Sequence, residues 1–220
     1  MECKNHFPTG DWSHVVFTDE VSVEKGKDIT DVWIFRRLGE RDKCLPEHVK
    51  PRVRSTVSLM LWGCFAGCIR GPLVPLHGQQ TAETYIQTLQ EHLVPFIMNT
   101  LPKNGIFDAI FQQDNALIHK AYITRNYLQQ QGFIVMNFPP NSPDMNPIEH
   151  LWAVLKKELF RRFPDTSDLP GGPEAVKRAL AERLAIVWAD IGPDTMNALI
   201  NSMPRRVQAL IDAKGWYTKY

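Results

Sequence analysis

Ile148, Leu151, Trp152, Leu155 and Leu159 fall at i, i+3, i+4, i+7 and i+11, one apolar stripe along a single helix. Such a stripe must bury itself against another layer, and the chain supplies one upstream. Val15 to Asp19, Val32 to Phe35 and Thr56 to Phe65 are β-rich runs, the last with Gly63 and Gly67 near its end, and they read as strands. Thr81 is placed to cap a helix marked by Tyr85, Leu89 and Leu93. Ile106 to Gln112 reads as a strand leading to Asp114, His119 to Gln131 as a helix stopped by Gly132, and Phe133 to Met136 as a short strand. A stiff loop, Pro139 to Met145, leads into the stripe helix, with Asn146 placed as its cap and Pro147 at its first position. Two more helices are expected over 174–189 and 194–213, with Pro164 to Pro173 as the flexible loop before them. Strands first, then alternating helix and strand, imply an α/β fold, a mixed central sheet with helices on both faces. Such sheets present ligands beyond their strand ends.

Composition narrows the function. Of the 220 residues, 44% are hydrophobic and 22% charged, which excludes a disordered tail or a small disulfide scaffold. Twenty-five basic against 24 acidic residues leave a net charge of +1, so a nucleic-acid partner has to be argued from local patches. Two exist. Arg36 to Arg54, which includes Arg52 and Arg54, holds seven Lys/Arg against three Asp/Glu. Lys156, Lys157, Arg161 and Arg162 lie on the stripe helix. Both are candidates for phosphate contacts, and solvated helix surface is the plainer reading of the second. The chain opens without an apolar signal core and has no run of about 18 apolar residues, so no membrane partner is expected. Cys3, Cys44, Cys64 and Cys68 lack a zinc-binding spacing and read as reduced thiols of an intracellular protein.

Three acids stand where this fold would present them: Asp19 ending the first strand, Asp114 after the strand that follows the first helix, and Glu149 in the first turn of the stripe helix. Mg²⁺ takes oxygen ligands, usually one or two carboxylates with phosphate and water. Two such ions about 3.5–4 Å apart serve phosphodiester chemistry. Each acid also has a plain structural reading. Asp114-Asn115 is good turn chemistry, and Glu149, three residues after Asn146, suits a capping box or the helix dipole. Those readings leave unexplained why all three gather at one sheet edge.

The motifs around these acids resemble the catalytic domain of the Tc/mariner superfamily of cut-and-paste DNA transposases. They are Val16-Phe17-Thr18-Asp19-Glu20, Leu61-Trp62-Gly63-Cys64-Phe65, Gln113-Asp114-Asn115-Ala116 with His119, and the run from Pro139 through Asn146-Pro147-Ile148-Glu149-His150-Leu151-Trp152. Ser202-Met203-Pro204-Arg205-Arg206 and Ala213-Lys214-Gly215 add to them. Thirty-four residues separate Asp114 from Glu149, and that spacing with a third Glu resembles the Tc branch. The resemblance implies an RNase H-like fold and an Asp-Asp-Glu site in which Asp19, Asp114 and Glu149 hold two Mg²⁺ or Mn²⁺ ions. It implies cleavage at transposon ends and joining of the freed 3′-hydroxyl to target DNA at TA. The partners are then DNA and a candidate homodimer, and the location the nucleus. Glu20, Asn115, His119 and Asn146 are candidates to orient ligands or touch DNA, His119 being equally suited to capping its helix. Trp152 is expected in the core, and Trp62 and Gly63 beneath the site.

Val21, Val23, Leu117 and Arg54-Ser55-Thr56 depart from the family pattern without removing a proposed ligand. The family's paired helix-turn-helix modules have no counterpart ahead of Asp19. The expectation is therefore one catalytic domain over 1–220 with a C-terminal helical extension from about 174, lacking specific end recognition. Two rivals remain: a domesticated remnant that binds DNA or protein without cutting, and an RNase H-like nuclease acting on RNA–DNA hybrids.

Overall fold

Strand β1 (Val15–Glu24) is the spine of a five-stranded sheet, with β2 (Ser58–Ala66) antiparallel on one side and β4 (Ile110–Gln112) parallel on the other. Strand β3 (Ile69–Leu76) pairs antiparallel with β2, and β5 (Ile134–Val135) parallel with β4, so the order is β3-β2-β1-β4-β5. The computed structural model describes residues 11–26, 57–137, 142–214 and 218. The expected strand at Val32 to Phe35 and the basic stretch Arg36 to Arg54 lie outside them.

Alternation along β1 divides the core in two. Val15, Phe17, Val21 and Val23 join the stripe helix α5 (Ile148–Arg162) and the C-terminal helices α6 (Pro173–Asp190) and α7 (Pro193–Asp212). Val16 joins Trp62, Cys64 and Phe111 beneath the helical run that begins with α1 (Ala82–Thr88). The mixed sheet covered on both faces is therefore present. Leu151, Leu155 and Leu159 are fully buried, as the stripe requires. Helices α6 and α7 bury Leu180, Leu184, Met196 and Met203 in the same core as α5.

Helix α1 carries the expected cap: Thr81 and Thr84 exchange side-chain-to-backbone bonds at 3.3 and 2.8 Å. It runs on through two more widely wound segments, Leu89–Leu93 and Phe96–Thr100, on either side of Pro95, and ends in α2 (Leu101–Lys103). Proline has no N–H to give an i→i−4 bond, and wider winding accommodates it.

Several expectations need correction. Strand β3 was not foreseen, because Gly71, Pro72 and Pro75 break its pattern; proline is tolerated on an edge strand, and β3 is an edge of this sheet. Gly67, at φ +55°, makes the two-residue turn into it. The strand before Asp114 is only Ile110–Gln112. The helix expected from His119 begins earlier and is broken, as α3 (Leu117–Lys120) and α4 (Tyr122–Gln130), with Ala121 extended between them. Asp19 does not end β1; pairing with β2 carries that strand to Glu24.

Candidate active site

The parallel register fixes the two aspartates. Phe17 of β1 lies opposite Gln112 of β4, so Asp19 and Asp114 each stand two residues beyond the last paired position, on neighbouring segments of the sheet edge. Asp19 shares the face of Phe17, toward α5. Glu20 points the other way, toward α1 and α3.

Asp19 is held by Trp152, whose indole Nε1 donates to its Oδ2 at 3.1 Å. The ring can reach the sheet because β2 carries glycine opposite Asp19. A Cβ on Gly63 would come within 2.7 Å of Trp152 Cη2. Trp188 of α6 packs at a tilt against that ring, centroid to centroid 5.6 Å, and its own Nε1 donates to the Gly71 carbonyl at 2.9 Å. Trp152 is thus buried, as expected, and also aims a carboxylate, a role its apolar stripe concealed. The signal was its spacing: three residues after Glu149 it shares that helix face.

Burial, then the charges of Glu149 and Glu20, push the Asp19 carboxyl up to about 7. Asp19 and Glu149 are therefore close enough to repel. Asp114 is engaged elsewhere. His119 Nδ1 lies 2.5 Å from its Oδ1, and the Ala116 N–H donates to the same oxygen at 2.9 Å. The His119 bond holds the Asp114 carboxyl below its ordinary value. Burial opposes charge on His119, yet the carboxylates of Asp114 and Glu20 push it up to about 9. His119 Nε2 faces Glu20 Oε1 at 3.6 Å, beyond hydrogen-bond length. So His119 orients Asp114 rather than capping a helix. Tyr85 packs at a tilt against the His119 ring, centroid to centroid 4.1 Å, and donates to Gln113 Oε1 at 2.8 Å. Burial, then the charges of Glu20, Asp114 and Asp19, raise the Tyr85 hydroxyl well above its ordinary value.

Asn146 does not cap α5. The residue before that helix is Pro147, with no side-chain cap, and Asn146 Nδ2 instead donates to the Thr18 carbonyl at 3.1 Å. That bond ties the segment before Glu149 to the strand residue before Asp19. The capping-box reading of Glu149 falls with it. Glu149 is exposed and Asn115 half-buried. Of the basic residues on α5, Arg161 and Arg162 pair with Glu158, and Arg162 also with Asp190. Lys157 is exposed, whereas Lys156 is half-buried on the Glu149 face. Burial lowers the Lys156 ammonium, and the charges of Glu149 and Glu24 oppose that shift. Arg52 and Arg54 lie outside the described residues, as do Pro139 to Asn141. Trp62 is fully buried, on the face opposite Trp152.

A divalent cation suits part of this arrangement. Asp19 and Glu149 are like charges whose repulsion burial sharpens, and a cation between them would relieve it. Asn146 Oδ1, a buried acceptor without a hydrogen bond, lies on the segment that leads into Glu149. Asp114 would join by its second oxygen, the first being taken. Among the described residues no group of three acidic, histidine or cysteine side chains is gathered closely enough to hold a metal. No helix among these residues is long and apolar enough to cross a membrane.

The sheet order, the helices on both faces and the acidic edge define an RNase H-like α/β domain. Residues 14–170 match the family described as DDE superfamily endonuclease. The Tc1 transposase of Caenorhabditis elegans is 31% identical over 211 residues, 96% of this chain and 71% of that protein. The solved Mos1 transposase paired-end complex with left transposon end superposes at a TM-score of 0.66 with 20% identity, over 94% of this chain and 57% of that one. The Mos1 catalytic domain solved with raltegravir and Mg superposes at 0.65 with 18% identity, over 96% of this chain and 88% of that domain. The chain thus spans rather more than half of the full-length Mos1 chain and most of its catalytic domain. It belongs to the DDE superfamily endonucleases, as a transposase catalytic domain of the Tc/mariner group.

Proposed function

We propose that this domain cuts phosphodiester bonds at the ends of a DNA transposon and joins the freed 3′-hydroxyl to target DNA, using Asp19, Asp114 and Glu149 with two Mg²⁺ or Mn²⁺ ions. The observation that carries the reading is the raised Asp19 carboxyl, buried beside Trp152 and repelled by Glu149. A cation beside such a carboxyl would favour its ionised form. Bound there, the ions supply Lewis-acid stabilisation of the negative charge that gathers on the phosphoryl oxygens.

The chain's own residues do the rest. Trp152 fixes the direction of Asp19, His119 that of Asp114, and Asn146 ties the Glu149 segment to β1. Lys156, on the Glu149 face, is the phosphate contact we favour on α5, because Arg161 and Arg162 are already paired. DNA is the partner, a homodimer is the assembly that would bring two ends together, and the nucleus is where such a substrate lies. We read 1–220 as one catalytic domain, with the C-terminal helices completing its core.

The test is an anomalous difference map from crystals soaked in Mn²⁺, paired with strand-transfer assays on pre-cut ends. Manganese peaks beside Asp19, and loss of transfer in Asp19→Asn, Asp114→Asn and Glu149→Gln, are expected. No peak at millimolar Mn²⁺, with unchanged transfer in those variants, would overturn the reading. Hydrolysis of RNA–DNA hybrids without strand transfer would reassign the substrate.

A further inference from the structure

The segment that delivers Glu149 is gripped by residues from the far end of the chain. Arg206, on α7, is 2% exposed. Its Nε donates to Ser202 Oγ at 2.8 Å, one terminal nitrogen to the Asp144 carbonyl at 2.8 Å, and the other lies 3.2 Å from His150 Nδ1. A guanidinium has donors only, so His150 Nδ1 accepts. One rigid, planar cation therefore bridges Asp144, in the turn Pro143–Met145 ahead of α5, and His150, the neighbour of Glu149 on its other side. Beyond α7, Thr218 takes the Asp144 side chain: its N–H and hydroxyl donate to Oδ2 at 2.9 and 2.6 Å.

Core packing does not account for this. Helix α7 already buries Met196, Ile200 and Met203. A buried guanidinium is costly unless its donors are matched, and two of these go to residues that flank Glu149. Asn146, between Asp144 and Glu149, is tied to β1 at Thr18. The Glu149 turn is thus pinned to the sheet on one side and to the C-terminal segment on the other.

We infer that Arg206 and Thr218 are positioning residues for Glu149: together they clamp Asp144 and His150, so that the C-terminal segment sets where the third carboxylate stands. The inference rests on the reading of Glu149 as a cation ligand. Its expected size is that of outer partners that orient ligands, about tenfold in metal affinity.

The test uses the whole chain with Arg206→Lys, Thr218→Val and Glu149→Gln. Backbone hydrogen exchange at Asn146 to Leu151 is measured without metal, Mn²⁺ affinity by calorimetry, and global stability by thermal melting. Arg206→Lys and Thr218→Val should speed exchange across that turn and weaken Mn²⁺ binding about tenfold. Thr218→Val should do so with little change in melting temperature, because Thr218 lies outside the helical core; it carries the test should Arg206→Lys fail to fold. A merely structural role would lower melting and leave Mn²⁺ affinity alone. Wild-type exchange and wild-type Mn²⁺ affinity in both variants, while Glu149→Gln loses the metal, would overturn the clamp and leave the Asp-Asp-Glu reading standing. Failure of the parent chain to bind Mn²⁺ would instead sink that reading, and the exchange rates would still decide whether the clamp holds the turn.

Discussion

Asp19→Asn should make the metal-free protein more stable, and only at the higher end of the pH range. In the folded chain, burial and the Glu149 and Glu20 charges raise the Asp19 carboxyl from 3.8 to about 7. A group with a raised folded pKa contributes stability that is fully present below its unfolded pKa and lost as pH climbs through the folded one. The loss therefore begins near pH 4 and is complete just above pH 7. Three units at 1.36 kcal/mol each give a ceiling of about 4 kcal/mol. Water reaching a half-buried carboxyl screens part of that, so about 2 kcal/mol is the working expectation. Asparagine keeps the volume and still offers Trp152 an acceptor oxygen, so the substitution removes the charge and little else. For a chain of this length about 2 kcal/mol is roughly 4–8 °C in melting temperature. Melting both proteins in chelator from pH 4 to pH 8 should give coincident curves at the acid end. The gap should widen through pH 5 and 6 and flatten above 7, with the variant higher. Saturating Mn²⁺ should reverse the order at pH 8, because the wild-type cluster gains a partner the variant binds poorly. A gap that is flat with pH, or a variant that melts lower at pH 8 in chelator, would refute the electrostatic account of this site.

Gly63→Ala places a methyl 2.7 Å from Trp152 Cη2, so the indole has to leave Asp19 or the strand has to move. A cost of about 1–3 kcal/mol in denaturant unfolding is expected, with strand transfer falling more than stability; an unchanged Trp152 in a crystal of the variant would contradict it. Lys156→Ala should weaken DNA binding and lower the slope of log affinity against log salt by about one, while Lys157→Ala should leave that slope alone. Equal slopes for the two, by fluorescence anisotropy across a salt series, would return Lys156 to ordinary helix surface.

The parts legible in the sequence are those where one physical rule acts alone. Periodicity located α5 because it buries one apolar stripe, and Thr81 was visible as a cap because its side chain has nothing else to do. The rest was hidden where a residue answers to two demands. Asn146 has the chemistry of a helix cap and spends it on the Thr18 carbonyl. Trp152 fits the stripe, and its indole N–H, invisible to any pattern of hydrophobicity, belongs to Asp19. Asp19 looked like a strand end because its neighbours turn polar, whereas pairing with β2 carries the strand past it. Strand β3 escaped because two prolines and a glycine read as loop when the pairing partner on only one side is not known.

These failures share a location. The uncapped start of α5, the orphaned oxygen of Asn146 and the repelled carboxyl of Asp19 all border the acidic edge. A chain selected for stability alone would cap the helix with Asn146 and replace Asp19 with an apolar residue of similar size, since a carboxyl raised by burial and neighbouring like charge costs stability when ionised. That it does neither agrees with the proposed site, whose missing interactions would be completed from outside by cations and the phosphates they accompany. The support is spent on direction instead: Trp152, packed against Trp188 and admitted by Gly63, points one carboxylate. His119, packed against Tyr85, points another. The turn bearing the third is held between Thr18 and Arg206. Each carboxylate is braced from a different part of the core, so their separation can be set by packing even while their charges push them apart.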